Sequence, residues 1–218
     1  LYNYAHLPTR FKPQRRINEA DLPSAEQRLQ IFLMSLRRLL DEGYVYIGLD
    51  HFAKPDDSLA LAMKDRSLHR NFQGYTTRAD CDLIALGLSS IGKIGASYVQ
   101  NSRSLEDYYA MLDQDVLPVE KGIHLSADDL LRREMIMALM CCHPLNVADI
   151  EAQFGIRFKD YFAEELKRLS AYADEGLMEL TSESVSVTPK GRMFVRAYAM
   201  VFDQYLSRQS GAKYSKLI

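Results

Sequence analysis

The stretch Tyr44-Val-Tyr-Ile-Gly-Leu-Asp-His51, together with the helix-like run before it, decides the fold class. Ser24 begins a capping-box pattern, and apolar residues then recur every three or four positions from residue 29 to residue 40. Gly43 is placed to end this helix in a left-handed conformation. A helix that leads through a glycine turn into a buried strand is the repeating step of an α/β fold. We therefore predict an α/β protein with polar residues at the strand end, where such folds place their sites.

The sequence that follows this stretch predicts a long polar passage and a second buried strand. The second strand is predicted at residues 82–90, which are mostly aliphatic. Residues 55–77 lie between the two strands and contain one short helix-like run at 58–65. Connections of this length in compact domains are usually functional.

After residue 124 the pattern changes from α/β to mostly helical. We predict the following elements: a helix from Ser126 to about Cys142, helices at 147–154 and 158–174, strands at 177–180 and 185–188, and a last helix from Lys190 to about Ser207. Three helices, a small hairpin and a further helix form a winged-helix-like order. The predicted domains are residues 1–124 and 125–218.

Charge and hydropathy exclude two classes of partner. The chain has 218 residues and a net charge of −2, with 27 Lys and Arg against 29 Asp and Glu. The helix at 158–174 occupies the recognition position of a winged helix, and its excess of acidic residues would repel phosphate. No apolar run approaches the roughly 18 residues that a membrane span needs. We expect no nucleic acid partner and no membrane span.

The cysteines argue against a metal site and for a reducing compartment. Cys81 is isolated, Cys141 and Cys142 are adjacent in an apolar helix, and no spacing typical of metal ligands occurs. Three cysteines do not form a disulfide framework, so we expect a cytoplasmic protein whose cysteines are buried apolar residues. The chain begins with Leu1 in the middle of a pattern and has no signal-like segment, which suggests a piece of a longer protein.

Polar residues concentrate in two segments of the first half. Residues 50–55 and 69–77 contain two histidines, an arginine, amides and hydroxyls, and Gly74 permits a close backbone approach. On composition alone, a binding loop and an inert surface loop remain equally open. The basic cluster at residues 10–16 fits a solvated face better than an anion site. The glycines at 87, 92 and 95 do not have the spacing of a dinucleotide fingerprint.

Several segments closely resemble the oxygen-independent coproporphyrinogen III oxidases of the bacterial type. The most specific is the decapeptide Leu68-His-Arg-Asn-Phe-Gln-Gly-Tyr-Thr-Thr77. The others are Asn3-Tyr-Ala-His-Leu-Pro8, Gly48-Leu-Asp-His-Phe-Ala53 with Pro55-Asp56, Gly87-Leu-Ser-Ser-Ile-Gly92, Asp160-Tyr-Phe-Ala-Glu164 and Val187-Thr-Pro-Lys-Gly-Arg192.

The resemblance implies a radical enzyme that uses S-adenosylmethionine and a [4Fe–4S] cluster. Such enzymes oxidatively decarboxylate two propionates of coproporphyrinogen III to vinyls and give protoporphyrinogen IX in haem biosynthesis. The implied fold is the C-terminal portion of a partial TIM-like barrel over residues 1–124, followed by a mostly helical, winged-helix-like domain. The family's cluster motif, C-x-x-x-C-x-x-C, does not occur in this chain. The fragment alone is therefore expected to be inactive, and its expected partner is the missing N-terminal half of the barrel.

The resemblance also implies roles for six residues. Ala5 and Ile91 fall where the family contacts S-adenosylmethionine, and Gln73 is expected to bind a second S-adenosylmethionine. The remaining three are expected to contact substrate propionates, with the arginine pairing in a bidentate manner: His51, His69 and Arg70. Core packing or loop structure is the ordinary alternative for each. No catalytic residue and no metal ligand is predicted in this chain.

Two further expectations concern assembly and an alternative function. An opened barrel exposes strand edges and apolar faces, so we expect the first half to dimerise, swap elements or leave segments disordered. The alternative function is a non-catalytic interaction module, a truncated homologue whose winged-helix-like half binds a partner or haem.

Overall fold

The computed structural model describes residues 2, 4–79 and 81–206, and these ranges form an α/β fold of short helices and small sheets. The elements of the first part are 3-10 turns at Lys12–Arg16 and Glu19–Asp21, α1 (Ala25–Asp41), β1 (Val45–Gly48), β2 (His51–Ala53), α2 (Ser58–Asp65), β3 (His69–Asn71), β4 (Gly74–Thr76), β5 (Ile91–Ile94), β6 (Ser97–Asn101), α3 (Leu105–Leu112) and β7 (Val119–His124). The second part contains α4 (Ala127–Met140), β8 (Leu145–Asn146), α5 (Val147–Phe154), α6 (Phe158–Tyr161), α7 (Ala163–Asp174), β9 (Met178–Leu180), β10 (Ser184–Val187), a 3-10 turn at Lys190–Phe194 and α8 (Val195–Val201).

Helix α1 begins and ends at the predicted residues. The Ser24 hydroxyl accepts from the Gln27 amide at 3.2 Å, and the Gln27 side chain accepts from the Ser24 amide at 2.8 Å. Gly43 has a φ of +77°, which is the left-handed conformation of a helix end. No residue of α1 is buried, and Leu33 and Leu40 on its apolar side are 42% and 47% exposed. Helix α1 is therefore amphipathic in sequence but only partly covered on its apolar face.

The strands of the first part form small antiparallel sheets, and one predicted strand is absent from them. Within the described residues of this part every ladder is antiparallel: β1 pairs with β2, β3 with β4, β5 with β6, and β6 with β7. The predicted strand at 82–90 is wrong, because only the Leu83–Lys93 bridge forms there and the strand begins at Ile91. Positive φ values at Gly87 and Ser89 turn the backbone away from an extended conformation.

A three-stranded sheet, β5–β6–β7, and helix α3 form a layer that has no apolar core of its own. Apart from Pro118, no apolar side chain of the described residues between 81 and 124 is buried. Ile84, Leu86 and Leu117 are each more than 70% exposed. The layer touches the β3–β4 hairpin where the rings of Phe72 and Tyr98 lie 5.2 Å apart. Its apolar surface is therefore available to cover, or be covered by, another polypeptide segment.

The second part encloses the main core between the five helices α4–α8 and the sheet β8–β10–β9. Phe162 is fully buried, and its ring lies 5.1–5.2 Å from the rings of Phe158, Tyr161 and Phe202. The predicted helix at 158–174 is interrupted at Phe162, whose backbone leaves helical geometry at φ −106° and ψ 28°. The side chain enters this aromatic cluster at the break, so core packing overrides local helix propensity.

The last predicted helix differs from the structure at both ends. It begins as the 3-10 turn Lys190–Phe194, and α8 ends at Val201. The predicted end near Ser207 lies outside the described residues. In the part of the chain that the structure describes, no helix is both long and apolar enough to cross a membrane.

A second core joins the two parts. Met137 of α4 and Cys141, which directly follows this helix, pack with side chains from β1, β2, α2 and the β3–β4 hairpin. The buried members from the first part are Ile47, Ala53, Ala60, Ala62, Leu68 and Tyr75. The domain boundary near residue 124 stays a prediction, but α4 clearly contributes apolar side chains to the first part.

Candidate functional site

His51, Arg70 and Tyr75 form a cluster where the β1–β2 and β3–β4 hairpins meet. The His51 ring stands edge-on to the Tyr75 ring, with 5.2 Å between the ring centroids. The Arg70 Cζ atom lies 4.8 Å from the centroid of the same Tyr75 ring, a cation–π distance. Tyr75 therefore brings together two of the three residues expected to contact substrate propionates. We call His51, Arg70 and Tyr75 the hairpin cluster.

The backbone directs His51 into this cluster through a β-bulge. Tyr46 pairs with Phe52 and Gly48 pairs with His51, which leaves Ile47 as the extra residue on β1. Leu49 in the turn has a φ of +52°, and its carbonyl accepts a hydrogen bond from the Tyr46 hydroxyl at 3.0 Å. Bulges next to sites commonly re-aim a side chain, and here the side chain is His51.

Two glycines allow the hairpins to approach closely. A Cβ atom on Gly48 would overlap the Tyr75 hydroxyl, and one on Gly74 would lie 3.2 Å from Nε2 of His51. Gly74 also has a φ of +133°, which side chains rarely tolerate. The close approach expected at Gly74 is therefore present, and its neighbour is the His51 ring.

The Arg70 guanidinium is a half-buried donor that faces the cluster. Its Nη1 atom is buried and has no hydrogen-bond partner among the described residues. His51 Nδ1 lies 2.7 Å from Asp50 Oδ1, within ion-pair distance but outside hydrogen-bond geometry. Burial raises the pKa of Tyr75 well above its ordinary value although Arg70 opposes this, so its phenol stays protonated. The cluster thus offers a cation with a buried, unpaired donor, which suits a carboxylate, whereas the Tyr75 hydroxyl already donates to the Met140 carbonyl.

His69 lies outside the hairpin cluster, although it is next to Arg70 in sequence. Successive strand residues point to opposite faces, so His69 and Arg70 face different sides of β3. His69 lies near His143, just beyond the end of α4. Burial lowers the pKa of His143, and the nearby charges of His69 and Arg66 lower it further against an opposing effect of Glu134.

We expect His143 to make the chain less stable in mild acid. An unfolded histidine has a pKa of about 6.5 and binds a proton more readily than buried His143, so stability is present above this pH and is lost below it. Urea unfolding at about pH 7.5 and about pH 5 measures the change. His143→Gln should reduce this pH dependence, and the exposed His124 provides a control in His124→Gln. Equal pH dependence in wild type and His143→Gln would contradict the assignment.

The three residues expected to contact S-adenosylmethionine lie on three different segments. Ala5 is exposed near the N-terminal end, and its carbonyl accepts from the Gln14 amide at 3.1 Å. Gln73 is exposed in the turn between β3 and β4, next to Gly74 and therefore beside the hairpin cluster. Ile91 is half-buried at the start of β5 and pairs with Gln100 on β6. The structure thus places Gln73 close to the cluster and leaves Ala5 and Ile91 on separate elements.

Sequence reasoning assigned no role to Tyr75 or Arg192, although both lie in the recognised segments. Arg192 Nη2 donates to the Tyr46 carbonyl at 2.8 Å, across 146 positions of sequence. Tyr75 donates its hydroxyl to the Met140 carbonyl at 2.8 Å. Neither contact follows a local spacing, so no pattern in one sequence could have indicated it.

The cysteines do not form a ligand set. Cys141 is buried and burial raises the pKa of its thiol to about 12, which confirms a buried apolar cysteine at this position. Burial also raises the pKa of Cys142, although Arg192 opposes this. Cys81 is exposed, so the expectation that the cysteines are buried is wrong at this position. Among residues 2, 4–79 and 81–206, no three His, Cys, Asp or Glu side chains are grouped in a way that could bind a metal ion.

Comparison with known proteins gives matches to one family. The model of the HemN C-terminal domain matches residues 125–194. The oxygen-independent coproporphyrinogen III oxidase of Pseudomonas aeruginosa is 47% identical over 218 residues, which are 100% of this chain and 47% of that protein. The protein of the same name from Thermostichus vulcanus is 43% identical over 223 aligned residues, covering 100% of this chain and 67% of that protein.

A solved structure matches the fold as well. Coproporphyrinogen III oxidase (HemN) from Escherichia coli, described as a radical SAM enzyme, superposes with a TM-score of 0.89 at 47% identity. The match covers 93% of this chain and 47% of that one. The fold is therefore that of part of a radical SAM protein. At this identity and coverage, the chain belongs to the oxygen-independent coproporphyrinogen III oxidase family. It spans about half the length of the first relatives it matches, 47% and 46%.

Proposed function

We propose that this chain is the C-terminal half of an oxygen-independent coproporphyrinogen III oxidase. The complete enzyme would oxidatively decarboxylate two propionates of coproporphyrinogen III to vinyls and give protoporphyrinogen IX in haem biosynthesis. Relatives that carry this activity in their names support the proposal, since they align with almost the whole chain. The three cysteines are free, which suits the reducing cytoplasm where we propose that the enzyme works.

The proposal rests mainly on one observation, the unpaired guanidinium donor of Arg70. Its buried Nη1 atom has no hydrogen-bond partner among the described residues, and an unpaired buried donor is costly unless a ligand satisfies it. A propionate carboxylate can accept two parallel hydrogen bonds from one guanidinium. His51 also contacts the Tyr75 ring and would contact the same propionate or a neighbouring one. His69, on the opposite face of β3, is the least favourably placed of the three proposed substrate contacts.

The cofactor contacts would come from Gln73, Ile91 and Ala5. When bound, S-adenosylmethionine supplies the radical chemistry of this enzyme class. The exposed Gln73 amide is three residues from Arg70 on one short hairpin, so this hairpin would hold cofactor and substrate side by side. Ile91 fits an apolar wall against the adenine, and Ala5 fits a backbone contact once its carbonyl exchanges the Gln14 amide for the ligand.

The iron–sulfur cluster does not fit the residues of this chain. Its ligands are thiolates, whereas Cys141 and Cys142 have raised pKa values in an apolar setting and Cys81 is exposed elsewhere. The [4Fe–4S] cluster of the complete enzyme would therefore be bound by the other half. The chain alone is accordingly proposed to be inactive.

The missing half is also the proposed partner of the uncovered apolar surfaces. We interpret α1 and β1 as the last elements of a partial TIM-like barrel, although their neighbours in such a barrel are not part of this chain. The barrel remainder would cover the apolar side of α1 and the exposed side chains of the β5–β6–β7 layer. The order of α4, α5 and α7 before the β9–β10 hairpin supports the winged-helix-like description of the second part. Without the other half, the same surfaces would favour dimerisation.

A chimera tests the proposed function. This chain would replace its matched region in the Pseudomonas aeruginosa relative, and the chimera would be reconstituted anaerobically with iron, sulfide, S-adenosylmethionine and a reductant. We expect the chimera to form the divinyl product, measured by chromatography, and the chain alone to form none. In the chimera, Arg70→Met should raise the KM for coproporphyrinogen III.

Two outcomes would contradict the proposal. One is vinyl product from the chain alone, which would overturn its dependence on the other half. The other is a chimera that contains the cluster but does not bind coproporphyrinogen III. If the chain then binds haem or another partner, the non-catalytic interaction module is the better description.

We expect Gln73→Ala to weaken S-adenosylmethionine binding by the chimera modestly. One neutral hydrogen bond is worth about 0.5–1.5 kcal/mol, or about a factor of two to ten in affinity. Equilibrium dialysis with labelled S-adenosylmethionine, normalised to iron content, measures the change. Gln114→Ala just after α3 is the control, because its side-chain amide donates to the Ala110 carbonyl of that helix, at 2.9 Å, away from the hairpin cluster. Equal affinities in the two variants would remove Gln73 from the site.

A further inference from the structure

Arg192 connects the second part of the chain to the β1 strand. Its Nη2 atom donates to the carbonyl of Tyr46 at 2.8 Å, with the carbonyl of Ile47 at 3.3 Å and Met63 Sδ at 3.1 Å. Its Cζ atom lies 5.4 Å from the centroid of the Tyr46 ring. One guanidinium thus contacts two consecutive backbone carbonyls and the ring beside them.

The two carbonyls belong to the β-bulge that precedes His51. Ile47 is the extra residue of that bulge, and bulges disrupt the ladder locally and leave the extra residue unpaired. A charged donor that binds these carbonyls compensates for the lost ladder bonds and fixes the bulge. Arg192 therefore stabilises the irregularity itself, rather than the regular part of the hairpin.

The bulge is coupled to His51 over a short path. Tyr46, whose carbonyl and ring Arg192 contacts, donates its hydroxyl to the carbonyl of Leu49. Leu49 has a positive φ and lies two residues before His51. A shift of Tyr46 would therefore change the turn that sets the direction of the His51 side chain.

The turn that carries Arg192 is itself firmly anchored in the helical part. Gly191 is buried against Leu177, and its carbonyl accepts from the Tyr198 hydroxyl at 3.1 Å. Lys190 Nζ donates to the Glu175 carbonyl at 2.8 Å, and Thr188 Oγ1 donates to the Gly176 carbonyl at 2.9 Å. These bonds hold the base of the Arg192 side chain at a fixed place.

We propose that Arg192 is a positioning residue of the hairpin cluster. It fixes the β1–β2 bulge and thereby directs His51 toward Tyr75 and Gly74, so the C-terminal part of the chain helps to build the site of the first part. The meaning of this positioning for catalysis rests on the proposed function, but the positioning itself is a property of this chain.

The test uses the chain by itself, so failure of the oxidase proposal would leave it unaffected. Arg192→Met and Arg192→Lys are compared with Arg168→Met, which removes a guanidinium bond to the Val201 carbonyl within the helical part. Hydrogen exchange of residues 44–53 reports on the bulge, and nitrogen-15 spectra of the labelled histidine rings report on His51. The His51→Gln variant assigns the His51 signal among the five histidines.

We expect Arg192→Met to accelerate exchange in residues 44–53 at least about tenfold, because hydrogen bonds to a charged donor are lost there. The His51 ring signal should shift, and exchange in the core of α4 should change much less. Arg192→Lys keeps the charge but lacks the forked donors of a guanidinium, so its effect should be intermediate. If Arg192→Met does not fold, Arg192→Lys is the variant that tests the proposal. Arg168→Met should leave residues 44–53 and the His51 signal unchanged. An unshifted His51 signal, or equal acceleration in α4 and in residues 44–53, would overturn the proposal.

Discussion

Replacing Gly191 with alanine is expected to lower the free energy of unfolding by about 3 kcal/mol, the upper end of the usual cost of overpacking. A Cβ atom there would overlap the Leu177 carbonyl oxygen and would lie 2.8 Å from its carbon and 3.0 Å from the Tyr198 hydroxyl. The obstacle is mostly backbone, which cannot rotate away as a flexible side chain can. The backbone must therefore separate, and with it the bonds that anchor the Arg192 turn. Urea unfolding followed by circular dichroism measures the loss.

The matched control is Gly155→Ala in the same helical part. Gly155 has a φ of +66° and no atom within 4 Å of the new methyl group, so only left-handed strain of about 1 kcal/mol is expected. The two substitutions are chemically identical and differ in what the methyl group meets. If Gly191→Ala is no more destabilising than Gly155→Ala, the prediction that a methyl group cannot fit at Gly191 is wrong.

Elements with local signals at both ends could be predicted from the sequence alone. Helix α1 has a capping box and a glycine end, and the structure has both. Helices α2 and α5 begin and end at the predicted residues, because an Asp or Asn cap precedes each of them. These signals act within one helical turn, so they do not depend on the rest of the fold.

The predictions from sequence were wrong where contacts with distant residues decide the local structure. Residues 82–90 are apolar enough for a strand, but the chain turns at Gly87 and Ser89 and the strand forms with Ser97–Asn101 instead. The break at Phe162 serves the aromatic core, and helix propensity does not indicate it. Strand direction was also beyond reach, since an aliphatic run does not reveal whether its neighbour is parallel or antiparallel.

In the candidate site, too, residues close in sequence could be grouped by prediction, whereas residues brought together by tertiary contacts could not. Arg70, Gln73 and Gly74 could be placed together because one short hairpin carries them. His51 joins them only through the contact of two hairpins with the Tyr75 ring. Its support by Arg192 depends on tertiary structure across 146 positions, which no spacing in the sequence encodes.

Contacts from α4 and Arg192 connect the helical part to the hairpin cluster. Tyr75 of the hairpin cluster donates to Met140 at the end of α4, and Arg192 holds the bulge before His51. Both contacts reach the site hairpins from residues that the family model of the C-terminal domain covers. We therefore regard the helical part as a support of the site rather than as an independent module.

Ile91→Asp is expected to weaken S-adenosylmethionine binding by the chimera at least about 100-fold, because an unpaired carboxylate against an apolar adenine costs several kcal/mol. Ile91 is half-buried at the start of β5, on the sheet that touches Phe72 beside Gln73. The two proposed cofactor contacts therefore lie on neighbouring hairpins. Anaerobic reconstitution gives the iron content and the binding of labelled S-adenosylmethionine from one preparation. The iron content should be unchanged, since the proposed cluster ligands lie in the other half.

The same strand provides the control for this prediction. Ile94→Asp makes the same chemical change three residues later on β5, where the side chain is 51% exposed. A carboxylate there remains in water, so cofactor binding should stay within about twofold of the unsubstituted chimera, the scale of a surface substitution. A general weakening of the β5–β6–β7 layer would affect both variants, whereas loss of a cofactor wall affects only Ile91→Asp. If iron content falls in Ile91→Asp while binding per cluster is unchanged, Ile91 is structural and does not contact S-adenosylmethionine.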